Sequence, residues 1–184
     1  MMRRTSTPTF LAALLCLATA VAMSHEPEAG DCRSLSRDLA HELEIMRGTA
    51  VPATAVSEEG SVPPRLQLGT YYAVSLVPQA QLHFVARPGR AENSPALRAG
   101  VFQFEVPADG RYRVSISSRH WIDVIDTRTA VDSVDHFGPG CELVHKVVEF
   151  DLPAGRLLTL QLSGNDDAMV GLAITASVPA KETR

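Results

Sequence analysis

Cysteine, aromatic residues and basic clusters are all scarce in this chain, and each scarcity weighs against a class of function. Only three cysteines occur in 184 residues. None belongs to a CxxC pair, so a zinc ribbon or a thioredoxin-like redox motif has no basis here. Aromatics make up 5% of the chain, with a single tryptophan at Trp121, which is thin for a face built to stack sugars. The 17 Lys+Arg stand against 21 Asp+Glu and form no basic run, which argues against nucleic acid and anionic lipid as partners. Past residue 24 no apolar stretch approaches the roughly 20 residues of a membrane-spanning helix, so no span is expected in the mature chain.

What the first 24 residues do contain is an export signal. Arg3 and Arg4 form a short basic start, Phe10 to Val21 carries no charge, and small residues follow at Ala18, Ala20, Ala22 and Ser24. That is the pattern of a secretory signal peptide, cleaved after Ala22 or after Ser24. Leu15 precedes Cys16, where a lipid-attachment box needs a small residue. The expected compartment is the periplasm or the exterior. Without Arg3 and Arg4 the mature chain has a net charge of about −6. Cys32 and Cys141 remain as an even pair in an oxidising compartment and predict a disulfide. It would close about 109 residues, a constraint of about 4 to 5 kcal/mol in the chain-entropy model.

The rest of the chain divides by period. Residues 25–65 read as one helix followed by an extended connector. Leu35, Leu39 and Leu43 recur at i+4 over Ser34 to Arg47, with Glu42 and Glu44 on the polar faces and Gly48 at the end. From Tyr71 the period becomes two. Rows at Tyr72/Val74/Leu76, Leu82/Phe84/Ala86, Phe102/Phe104/Val106 and Tyr112/Val114/Ile116 are each interleaved with more polar positions. Further strands follow at Trp121 to Ile125, Val144 to Leu152, Leu158 to Leu162 and Val170 to Val178. About eight short strands with one wet face predict an all-β, antiparallel β-sandwich of jelly-roll type over residues 66–178, with a short tail at 179–184.

Two units of the sequence are alike: Phe104-Glu-Val-Pro-Ala-Asp-Gly-Arg-Tyr-Arg-Val and Phe150-Asp-Leu-Pro-Ala-Gly-Arg-Leu-Leu-Thr-Leu. Read as hairpins, they resemble those of bacterial pre-peptidase C-terminal domains and of jelly-roll carbohydrate-binding modules. Phe102 to Ile174 resembles a group of small exported proteobacterial β-sandwich proteins. The shared features are Gly110 to Val114, Trp121 to Val124, His136 with Cys141, and Lys146 to Phe150. Some members of that group carry the label homogentisate 1,2-dioxygenase. Dioxygenases of that name are cytosolic, more than twice this length, and hold iron with two histidines and a glutamate in a cupin barrel. What the resemblance implies is therefore the exported sandwich, and no catalytic role is carried over.

Candidate chemistry concentrates between Asp126 and Glu142, which reads as a long loop on a rigid frame. Asp126, Asp132, Asp135 and His136 are its candidate ligand contacts, with Trp121 beside them. Ser133, His136 and an aspartate can be read as a nucleophile set, but Ser133 lacks a Gly-x-Ser-x-Gly elbow. Trp121 is flanked by Ile122, Val124 and Ile125, which places it in the core; its other reading is a sugar-stacking platform. Lys146 interrupts an inward row and is expected to snorkel at the sheet end or to pair with Asp123. Asn165-Asp166-Asp167 could offer oxygens to Ca²⁺ but is first a good turn. No two histidines share a zinc-motif spacing. A metal site assembled in space would draw on His120, His136 and His145, or on His25 if cleavage after Ser24 made it the amino terminus and a copper brace. The leading expectation is an exported non-enzymatic binding or accessory domain for a small ligand or a periplasmic protein. The alternative is a periplasmic copper- or zinc-binding protein.

Overall fold

The computed structural model describes residues 39–177 apart from 59, 91, 92, 140 and 142. A short helix α1 (Ala40–Met46) is followed by eleven strands: β1 (Val51–Thr54), β2 (Tyr72–Ser75), β3 (Val77–Pro78), β4 (Arg98–Phe104), β5 (Gly110–Ile116), β6 (Trp121–Asp126), β7 (Thr129–Ala130), β8 (Ser133–Phe137), β9 (Lys146–Leu152), β10 (Leu158–Asn165) and β11 (Met169–Ala176). They form a six-stranded sheet, β1-β2-β11-β5-β9-β8, and a five-stranded sheet, β3-β4-β10-β6-β7. Within them, β2-β11-β5-β9 faces β4-β10-β6-β7. Successive strands of this set alternate between the two sheets, apart from the β6–β7 hairpin, which is the winding of a jelly roll.

The core is where the alternating rows place it. Tyr72, Val74, Phe102, Phe104, Tyr112, Val114, Ile116, Leu158, Leu160, Leu162, Leu172 and Ile174 all lie in one buried cluster between the sheets. The β4–β10 register is in step from Leu158 opposite Phe104 to Leu162 opposite Gly100, so the inward rows of these neighbouring strands lie side by side on the core face of the sheet. At Gly100 a Cβ would sit 2.6 Å from a Leu76 methyl and 2.8 Å from the Phe102 ring. Glycine there leaves room for both.

Several expectations are corrected. The segment between α1 and β2, read as a plain connector, contributes β1, and β1 pairs with β2 in parallel, Val51 opposite Tyr72. The two Pro-Ala units are corners rather than hairpins: β4 and β5 belong to different sheets, as do β9 and β10. The corners lie side by side, with the Ala154 amide donating to Asp109 Oδ1 at 2.6 Å and the Gly155 amide to the Val106 carbonyl. The region from Asp126 to Glu142 contains strands β7 and β8. It therefore runs from the edge of one sheet to the edge of the other as paired backbone, not as an open loop.

The outer face of the six-stranded sheet, expected to be wet, is covered. Leu39, Leu43 and Met46 pack with Cys141, Val144, Val147 and Ala173. Glu42, expected on a polar helix face, is 1% exposed. Its Oε1 accepts from Arg113 Nη1 at 3.2 Å and from the Thr175 hydroxyl at 3.1 Å. Arg113 Nε in turn donates to Glu149 at 2.9 Å. This ladder fastens α1 to β5, β9 and β11. The helix expected from Ser34 to Arg47 is found only over Ala40–Met46, with Leu39 at its N-cap; Ser34 and Cys32 lie outside the described residues.

Candidate functional site

The outer face of the five-stranded sheet is covered by chain of a different kind. Residues 79–90 and 93–97 form a strap over this sheet, beginning with a 3-10 turn at Gln79–Gln81. Leu82 packs with Ala99 and Val101 of β4, with Phe84 partly buried against them. The row Leu82/Phe84/Ala86, read as a strand, alternates in burial as a strand would but joins no ladder. Its backbone bonds go to a side chain. Gln161 Oε1 accepts from the Val85 amide at 2.8 Å and the Ala86 amide at 3.1 Å, and Gln161 Nε2 donates to the Ala86 carbonyl at 3.1 Å. Gln161, in the middle of β10, is completely buried beneath the strap.

The strap bends around a pocket of about 500 Å³ whose lining includes Leu82, Phe84, Pro88, Pro95, Asn93 and Ser94. That is an apolar wall with a few polar groups, in the size range of small-ligand sites. Past Pro88 the strap settles on Trp121. The Gly89 amide donates to Asp123 Oδ2 at 3.0 Å, and the indole N–H donates to Asp123 Oδ1 at 2.9 Å. A Cβ at Gly89 would sit 2.6 Å from the indole nitrogen, so only glycine lets the backbone approach this closely.

Trp121 is not in the core. It is 39% exposed on the outward row of β6, while Ile122, Val124 and Ile125 are buried. Period two explains the difference: Ile122 and Val124 take the inner face, leaving Trp121 and Asp123 outside. Lys146 Nζ lies 5.8 Å from the indole centroid, within cation–π range. It also donates to the His120 carbonyl at 2.7 Å and the Arg119 carbonyl at 3.3 Å. The expected Asp123 partnership is thus absent, and the ammonium instead ties the start of β9 to the turn before β6. Burial lowers the Lys146 pKa, and the neighbouring charge of Arg90 lowers it further.

Of the other candidates, Asp126 pairs with Arg156 at the far end of β6. Asp132 is exposed, and Asp135 is turned back to accept the His136 amide at 2.7 Å. His136 is exposed on edge strand β8, and Ser133 lies at the other end of that strand. His120 is completely buried; its Nδ1 lies 2.8 Å from the Ser118 hydroxyl, also buried. Burial holds the His120 pKa below its ordinary value. The backbone groups of Arg98 and Asn165 oppose that shift without completing a hydrogen bond to Nε2. A serine and histidine so placed cannot meet a substrate. His145 is lowered by burial, then by the charges of Arg119 and Lys146. Among the described residues, no three His, Cys, Asp or Glu side chains are placed to hold a metal ion. His120, His136 and His145 are therefore not gathered into a site, and His25 lies outside the described residues.

No family model matches the chain, and neither does any curated protein or solved structure. Sequence reasoning missed the strap and Gln161. The signals that bear on them were a glutamine on the outward row of β10 and the Pro88-Gly89 pair, and neither specifies a pocket.

Proposed function

We propose that this chain is an exported, non-enzymatic binding module that takes a small ligand at the strap on the five-stranded sheet. The observation that carries the reading is the pocket of about 500 Å³ lined by the strap, whose lining residue Pro88 precedes the Gly89 that is seated on Trp121 and Asp123. The binding face thus moves from the Asp126 to Glu142 region to the other side of Trp121. The signal-like first 24 residues support a periplasmic or secreted location. Cys141 is buried in the cluster that anchors α1, which supports a disulfide to Cys32, just ahead of that helix.

A thermal-shift screen of the exported protein against neutral saccharides, organic acids and small apolar compounds tests the reading. A compound that raises the melting temperature of the wild type, but not of Phe84→Ala, supports it. Shifts that survive both Phe84→Ala and Trp121→Phe place the ligand elsewhere and refute this site. Turnover lost on Ser133→Ala or His136→Ala overturns the non-enzymatic reading.

A further inference from the structure

Around Trp121 the protein places two cations, Lys146 and Arg119, that pair with no carboxylate among the described residues. Lys146 has no carboxylate partner among the described residues; its hydrogen bonds go to two carbonyls, and the charge that acts on it is another cation, Arg90. Arg119, two residues before Trp121, is exposed and forms no ion pair among the described residues, and its charge acts together with that of Lys146 on His145. Asp123, the acid nearest the indole, is occupied by the indole N–H and the Gly89 amide. Asp166 and Asp167 lie in the β10–β11 turn at the same end, and Asp167 acts on His120 and His145. On a chain with a formal net charge of −4, two cations without a carboxylate partner among the described residues thus stand beside an exposed indole.

The part of the indole that Lys146 and Gly89 leave exposed is an apolar surface locked in one orientation, which suits the C–H groups of a pyranose ring. Lys146 offers a point charge within about one sugar width of that face, with no planar fork to demand a bidentate partner. We propose that the Trp121 end of the sandwich binds an acidic saccharide, its ring stacked on the indole and its carboxylate on the Lys146 ammonium with Arg119 beside it. This rests on the binding-module reading and names its ligand class.

Trp121 is the only tryptophan, so its fluorescence reports this site and no other. The test titrates the exported protein at low salt with trigalacturonate and with neutral galactotriose. The expected result is at least tenfold tighter binding of the acidic sugar, a preference that shrinks with added salt. Lys146→Gln and Arg119→Gln should each remove most of the preference for the acidic sugar. Arg119→Gln keeps the test decisive if Lys146→Gln fails to fold, because the Arg119 side chain makes no described ion pair. Equal affinities for the two sugars, or a preference that survives both substitutions, overturns the inference but leaves a neutral-ligand module standing. No fluorescence response to either sugar also overturns it, and the thermal-shift screen then judges the module on its own.

Discussion

Gln161→Leu should detach the strap while sparing the sandwich. The glutamine is completely buried and makes three hydrogen bonds to the strap backbone, at 2.8, 3.1 and 3.1 Å. Leucine has nearly the same volume, so no large cavity opens. At about 1 kcal/mol for each neutral hydrogen bond, the direct loss is about 3 kcal/mol. The strap limits that loss: lifted into water, its freed amides and carbonyl are resolvated. Its remaining described anchorage is the small cluster of Leu82 and Phe84 with Ala99 and Val101, the Gly164 amide donating to Gln79 Oε1 and the Gly89–Asp123 bond. Opening is therefore expected to win over a strained closed state, with global stability falling by about 1 to 2 kcal/mol. Gln161→Glu should be worse, since it keeps the acceptor for the two amides but buries a charge against the Ala86 carbonyl. Amide hydrogen exchange reads the outcome directly, because the Val85 and Ala86 amides should lose protection while those of β4 and β5 keep theirs. Wild-type protection at Val85 and Ala86 in Gln161→Leu would show that the side chain does not hold the strap, and the argument would be wrong.

Arg113→Met should cost about 3 to 5 kcal/mol by denaturant titration, because it leaves Glu42 and Glu149 buried without their shared cation; a loss under 1 kcal/mol would mean the ladder does not fasten α1. Gly89→Ala must displace the indole it would touch at 2.6 Å, so Trp121 emission should shift to the red with unchanged far-ultraviolet circular dichroism. An unmoved spectrum would refute that seating. The pKa of His120 is lowered by burial, so the unfolded chain binds the extra proton first, and stability should fall as pH drops below about 6.5, by at most about 1.4 kcal/mol per pH unit for this group; His120→Asn should flatten that slope, and an unchanged slope would assign it to other groups. Thiol titration of the exported protein, unfolded without reductant, should find no free thiols, and two would exclude the Cys32–Cys141 bond.

Much of the fold was legible because an antiparallel sandwich writes itself as period two. The rows at Phe102/Phe104, Tyr112/Val114/Ile116 and Leu158/Leu160/Leu162 fall in the core as read. The same signal misled at Leu82/Phe84/Ala86. Alternation reports an extended backbone over an apolar surface, and pairing with a neighbouring strand is a separate fact that one sequence does not carry. At Trp121 the apolar neighbours outweighed the period in the sequence reading, although the period gives the right face. Glu42 was read on a polar helix face because charge is usually solvated, and it lies buried, as does Glu149. Their burial depends on Arg113 lying across the sheet from both, a relation between residues 71 and 36 positions apart. The candidate site suffered most, since its walls come from a strap whose docking is decided by one buried glutamine.

The two outer faces of the sandwich are closed in unequal ways, and that inequality selects the binding side. Over the six-stranded sheet, α1 brings a continuous apolar cluster and a buried ion-pair ladder. Opening it would expose both apolar surface and charged groups that have exchanged water for each other, so this face acts as a sealed wall. Over the five-stranded sheet the described fastenings of the strap are a small apolar cluster around Leu82, the side chains of Gln161 and Gln79, and Asp123. Segments held by few buried contacts open at lower free energy than the core they cover. A ligand entering beside Phe84 and Pro88 therefore needs to displace only the strap, and the rigid β4-β10-β6 floor keeps Trp121 and Asp123 in place while it does so.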